Sequence, residues 1–134
     1  MRVQTIGNLN DPLIIMLPGT FCPSISLKYV YEKLSDAYQI LLPENNGHDE
    51  NSTFTSRKKD VRVIVAYIQK ENIKNIKMIY GQSMGAKIGI ELYQQLLEKQ
   101  ITIESCFFDG ASCTKLPWLN RKVMYPIFKT FLIE

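Results

Sequence analysis

Histidine is nearly absent: His48 is the only one in 134 residues. A serine or cysteine nucleophile that recruits a histidine base therefore has one candidate partner in this chain. Cysteine is sparse too. Cys22, Cys106 and Cys113 form no C-x-x-C pair, and any bridging scheme leaves one thiol over. Reduced thiols in a cytoplasmic protein are the simpler expectation, and no metal site is expected. Charge of one sign is also lacking. The formal balance is +3, with lysines scattered among acids, so a nucleic-acid partner has no support. No apolar run approaches membrane-spanning length. The N-terminus shows no long apolar core with a small-residue cleavage site, so no signal peptide is expected. Repeats, low-complexity stretches and interdomain linkers are absent as well.

What remains is ordinary globular composition, 46% hydrophobic and 22% charged, in a chain of single-domain length. Val3 and Ile6 suggest a short edge strand before the turn signals Gly7-Asn8 and Asn10-Asp11-Pro12. Leu13-Ile14-Ile15-Met16-Leu17 is apolar at every position, the signature of a parallel strand covered on both faces. Ser24 to Ala37 reads as a helix with Ser24 as its N-cap after Pro23. Tyr38 to Leu42 reads as a second buried strand that stops at Pro43, followed by a polar loop from Glu44 to Asn51. Val61, Ile64, Val65 and Ile68 fall at helical spacing within a helix from about Thr55 to Glu71. Its outer face carries Arg57, Lys58, Lys59 and Arg62, read as solvated. Gly85 to Gln100 makes a further helix, and Ser105 to Phe108 a fourth buried strand closing on Asp109-Gly110. Alternating strands and helices with short connections predict an α/β fold, a three-layer, mostly parallel sheet with helices on both faces.

The chemistry concentrates in Ile76 to Gly89. An apolar run, Ile76 to Tyr80, meets Gly81-Gln82-Ser83-Met84-Gly85 and leads straight into the helix. Strand, sharp turn and helix place Ser83 at an apex. The turn forces strained backbone angles there, and side chains two residues either way would clash with strand and helix. Such strain lifts the hydroxyl clear of the sheet, and the helix's first amides point where a developing oxyanion would sit. The alternative is a glycine-rich turn whose serine merely caps the helix.

This stretch resembles the nucleophile elbow of the α/β-hydrolases. The resemblance covers Leu13 to about Ala111 and implies an acyl-enzyme at Ser83 with a carboxylic ester or related small acyl substrate, and no cofactor. Leu17-Pro18-Gly19-Thr20 matches the family's Leu-His-Gly-x pattern, with Pro18 in place of the histidine. The oxyanion donors then map to the N–H groups of Met84 and Thr20, and Gly19, Phe21 and Gln82 to the substrate pocket. Gly47-His48 matches a Gly-His that the family often has, but it is not the family's catalytic histidine, which follows a later strand. Asp109 stands where some lipases of the family carry the acid; capping the Asp109-Gly110 turn is the other reading. The resemblance implies that the family's C-terminal strands, with the base, lie outside this chain. Residues 1–114 are thus expected to form the N-terminal part of the hydrolase core. Residues 115–134, an amphipathic tail, would be the start of a lid or a helix packed on the sheet. The expectation is a truncated serine esterase or lipase, weakly active or inactive alone. The competing class is a non-catalytic module of the same fold that binds a small ligand or a protein. Loss of the neighbouring strand would leave an open sheet edge, so self-association through that edge or the tail is expected.

Overall fold

The computed structural model describes residues 2–44, 53 and 55–111. Five strands, β1 (Arg2–Ile6), β2 (Leu13–Leu17), β3 (Gln39–Glu44), β4 (Asn75–Gln82) and β5 (Thr102–Asp109), form one sheet in the order β1-β3-β2-β4-β5. β1 runs antiparallel to β3, and every other pairing is parallel. A 3-10 segment, Ser24–Leu27, leads into helix α1 (Lys28–Leu34); α2 (Arg57–Lys70) and α3 (Met84–Glu98) complete the described elements.

The continuous apolar run in β2 is explained by cover on both sides. Leu13, Ile15 and Leu17 pack with Val61, Ile64 and Ile68 of α2 and Ile88, Leu92 and Leu96 of α3. Ile14 and Met16 face the other way, against Leu27 of the 3-10 segment and Tyr31 of α1. Alternating residues of one strand thus serve two cores, as a three-layer fold requires. Each fully buried side chain of this size contributes about 1.5–3 kcal/mol.

Both long helices stop by the same device. Asn72 (φ 53°) and Gln100 (φ 58°) adopt the left-handed region. The next amides, Ile73 and Ile101, then donate to the carbonyls of Ile68 and Leu96 at 3.0 and 3.1 Å. This satisfies carbonyls that the helix end would otherwise orphan.

Several boundaries differ from the sequence reading. The helix expected over residues 24–37 is shorter and divided, and Ser24 is not its N-cap: Pro23 holds that position and has no side-chain capping bond of its own. The Ser24 hydroxyl instead donates to the Glu44 carboxylate. Pro43 does not end the second buried strand but lies inside β3, opposite Val3. It stands beyond Leu41, the last residue that β2 pairs, so the ladder on that flank needs no donor from it. β5 is longer than expected and is not buried: Ser105, Cys106 and Phe107 are exposed, and among the described residues β5 pairs with a strand on one side only. The tail 115–134, with its lid reading and the 114/115 boundary, lies outside the described residues.

Candidate active site

The connection from β4 to α3 has no loop. Gln82 ends the strand, Met84 opens the helix, and Ser83 makes the whole turn at φ 52°, ψ −110°. L residues rarely take such angles, and holding one there costs on the order of 1–3 kcal/mol. Two glycines make the geometry feasible. A methyl group on Gly81 would fall 2.6 Å from the Gly85 oxygen and 2.7 Å from the Ala86 Cα. One on Gly85 would run into the Leu17 carbonyl oxygen and lie 2.5 Å from that of Pro18. The strand–helix approach therefore excludes any side chain at either position.

Ser83 itself is exposed. Its N–H donates to the Asp109 carbonyl at 2.7 Å, and its own carbonyl accepts from Ala86 at 3.1 Å. Its hydroxyl makes no capping bond to the helix. The reading of Ser83 as a mere helix cap is thereby removed: the backbone is anchored at both ends while the side chain is left to solvent.

The loop after β2 lies against this turn. A methyl group on Gly19 would sit 3.6 Å from the Ser83 Cβ, 3.5 Å from the Gln82 oxygen and 3.8 Å from the Cys22 sulfur, all ordinary contacts. Gly19 is thus not demanded by the fold, and its missing side chain keeps a gap open beside Ser83. Thr20 follows, half-buried; Phe21, at φ 59°, is half-exposed. Met84 is the first residue of α3, so its N–H has no helical carbonyl behind it. Among the described residues, neither the Thr20 nor the Met84 amide donates to a backbone carbonyl. Asp109 lies opposite Gln82 at the end of β5 and is exposed. The structure thus brings Gly19, Gln82, Ser83 and Asp109 to one end of the sheet, where the parallel strands terminate and α/β folds bind ligands.

The electrostatics of this end involve Tyr80 as well. Burial raises its phenol above the ordinary value, with smaller contributions from Tyr29 and Asp109. The phenol therefore stays protonated at neutral pH. Tyr80 also stacks on Phe107 with ring centroids 5.9 Å apart. Cys22 and Cys106 are free thiols. His48 lies outside the described residues, so none of those described is a histidine. No group of described His, Cys, Asp or Glu side chains is arranged to hold a metal. A cavity of about 190 Å³ lies along β5, lined by Tyr93, Ile103, Glu104, Ser105, Cys106 and Phe108, none of them in the candidate site. No described helix is long and apolar enough to cross a membrane.

The feature that sequence reasoning missed is Glu44, which it assigned to a polar loop. Glu44 ends β3, and both carboxylate oxygens accept from the Ser24 N–H, at 3.2 and 3.0 Å. Twenty residues separate the two, and only the β3–β2 pairing brings them together.

The architecture recurs in solved structures. An α/β-hydrolase family protein from Desulfitobacterium hafniense superposes with a TM-score of 0.85 at 18% identity, over 98% of this chain and 52% of that one. The fold is that of the α/β-hydrolases. An esterase from a marine microorganism matches at TM-score 0.76 and 17% identity, over 97% of this chain and 49% of its own. MenH from S. aureus matches at 0.71 and 18%, over 93% and 48%. The chain thus spans about half the length of these three structures. No protein-family model and no curated protein matches the sequence.

Proposed function

We propose that this chain carries the nucleophile half of a serine hydrolase acting on a small carboxylic ester or related acyl compound. The observation that carries the reading is Ser83, held at strained backbone angles on an exposed apex while its hydroxyl is spared any capping bond. Strain of this kind persists where surroundings over-determine it and where a function uses it. Ser83 attacks the acyl carbon, and the Met84 and Thr20 amides receive the oxyanion. Gly19, Phe21 and Gln82 border the acyl group. Asp109, fixed beside Ser83 through its backbone, is the candidate acid. The general base is a histidine from outside the described residues, and no cofactor takes part. A cytoplasmic location suits the free thiols.

One observation favours the second reading, a non-catalytic binding module: the described residues contain no histidine to take the Ser83 proton. Hydrolysis of a p-nitrophenyl ester of short chain length separates the two. The hydrolase reading expects slow turnover that Ser83→Ala removes, because loss of the base lowers rates by several orders of magnitude while oxyanion donors keep a residue of catalysis. Background hydrolysis unchanged by Ser83→Ala would favour the module. Ordinary esterase turnover lost in His48→Ala would instead make His48 the base.

A further inference from the structure

We infer that Glu44 is a positioning residue for this site: its carboxylate grips Ser24 and thereby sets where the Thr20 N–H stands relative to Ser83. The inference rests on the reading of Ser83 as nucleophile and Thr20 as oxyanion donor.

The loop that carries Thr20 runs between two fixed points. At its start, Leu17 is paired with Gly81 in the sheet, and Gly19 packs on Gln82 and Ser83. At its end stands Ser24, only 7% exposed. Ser24 gives both of its donors to Glu44: the N–H at 3.0 Å and the hydroxyl at 2.6 Å to the same carboxylate oxygen. These bonds run to a carboxylate and are partly buried, which makes them stronger than neutral surface bonds. The Ser24 N–H also opens a 3-10 segment that no side chain of its own N-cap satisfies. Glu44 does that work from the neighbouring strand.

Between the anchors the loop has little slack. Pro18 and Pro23 restrict its ends, and Cys22 N–H donates to Gly19 carbonyl at 3.3 Å, closing a tight turn around Thr20 and Phe21. Releasing Ser24 would let this turn pivot about Gly19. An oxyanion donor tolerates little of that, since misplacing a catalytic group by about 1 Å costs on the order of a hundredfold in rate. The carboxylate touches neither substrate nor nucleophile in this account; it acts through its bonds to Ser24.

The test compares the ¹⁵N-labelled full chain with Glu44→Ala, Glu44→Gln and Ser24→Ala. Two readouts are taken: the chemical shift and fast-timescale order of the Thr20 amide, and the rate at which a fluorophosphonate labels Ser83. In Glu44→Ala the Thr20 amide should shift and lose order, and labelling should slow by between about tenfold and about a hundredfold. Glu44→Gln, which keeps one carbonyl acceptor, should recover part of both. If Glu44→Ala does not fold, Ser24→Ala, which removes only the hydroxyl bond, must displace the Thr20 amide. An unmoved Thr20 amide in a folded variant overturns the inference and leaves Glu44 as a cap of the 3-10 segment. Absence of labelling in the unaltered chain would count against the nucleophile reading, while the amide signals would still decide whether Glu44 holds the loop.

Discussion

Replacing Ser83 by glycine should stabilise the protein while removing the proposed nucleophile. At φ 52°, ψ −110° the serine occupies a region that glycine enters freely, so the substitution removes strain of about 1–3 kcal/mol. Against this stands the greater freedom of glycine in the unfolded chain, about 0.5–1 kcal/mol. No third contribution of comparable size offsets the gain, because the side chain is exposed and makes no capping bond. The balance is a gain of about 1 kcal/mol, which for a domain of this size raises the melting temperature by about 4 °C. Ser83→Ala, which keeps a Cβ in the same strained place, should stay within about 0.5 kcal/mol of the original protein. Thermal and urea unfolding followed by far-ultraviolet circular dichroism measure both. A Ser83→Gly protein less stable than its parent would refute the argument, since it would mean that the serine is there for structure.

Two further outcomes follow from the packing of the glycines and the sheet edge. Gly85→Ala should cost about 2 kcal/mol in the same unfolding assay despite better helix propensity, because its methyl group meets the backbone of Leu17 and Pro18, whereas Gly89→Ala, which meets the Phe108 ring, should cost less than about 1 kcal/mol. Finding the reverse order would show that the elbow is looser than described. The chain should also self-associate through β5, whose Ser105, Cys106 and Phe107 are exposed at the end of the sheet; sedimentation at tens of micromolar should show a species that Phe107→Lys disperses, and a clean monomer would remove the open-edge argument.

The fold was largely legible because its strongest signals are local. A strand covered on both faces must be apolar throughout, and β2 could be read from that alone. The glycines around Ser83 declared the turn in the same way, since their spacing has a steric cause that the structure reproduces. β5 was misjudged because Cys106-Phe107-Phe108 looks identical in a central strand and at an edge; the difference lies in which neighbours exist, not in the residues. Pro43 misled for a related reason, as a proline ends a strand only where a partner needs its N–H. Ser24 and Glu44 were each read by local rules, as a cap and a loop residue, while their actual partnership spans twenty residues and depends on strand order. Asp109 could be placed at the end of the fourth predicted strand, and its two readings, acid or turn cap, differ in its orientation toward a base, which one sequence position does not encode.

The central claim is that Ser83 is a nucleophile, and covalent labelling tests it most directly. The folded chain, incubated with a fluorophosphonate and digested, should carry the adduct on the peptide containing Ser83. The adduct should be lost in Ser83→Gly and in urea-unfolded protein, because the oxyanion donors proposed at Met84 and Thr20 would be in place only in the fold. A folded chain that stays unlabelled at Ser83, or labels equally well when unfolded, would contradict the account and leave the α/β-hydrolase fold as a binding module.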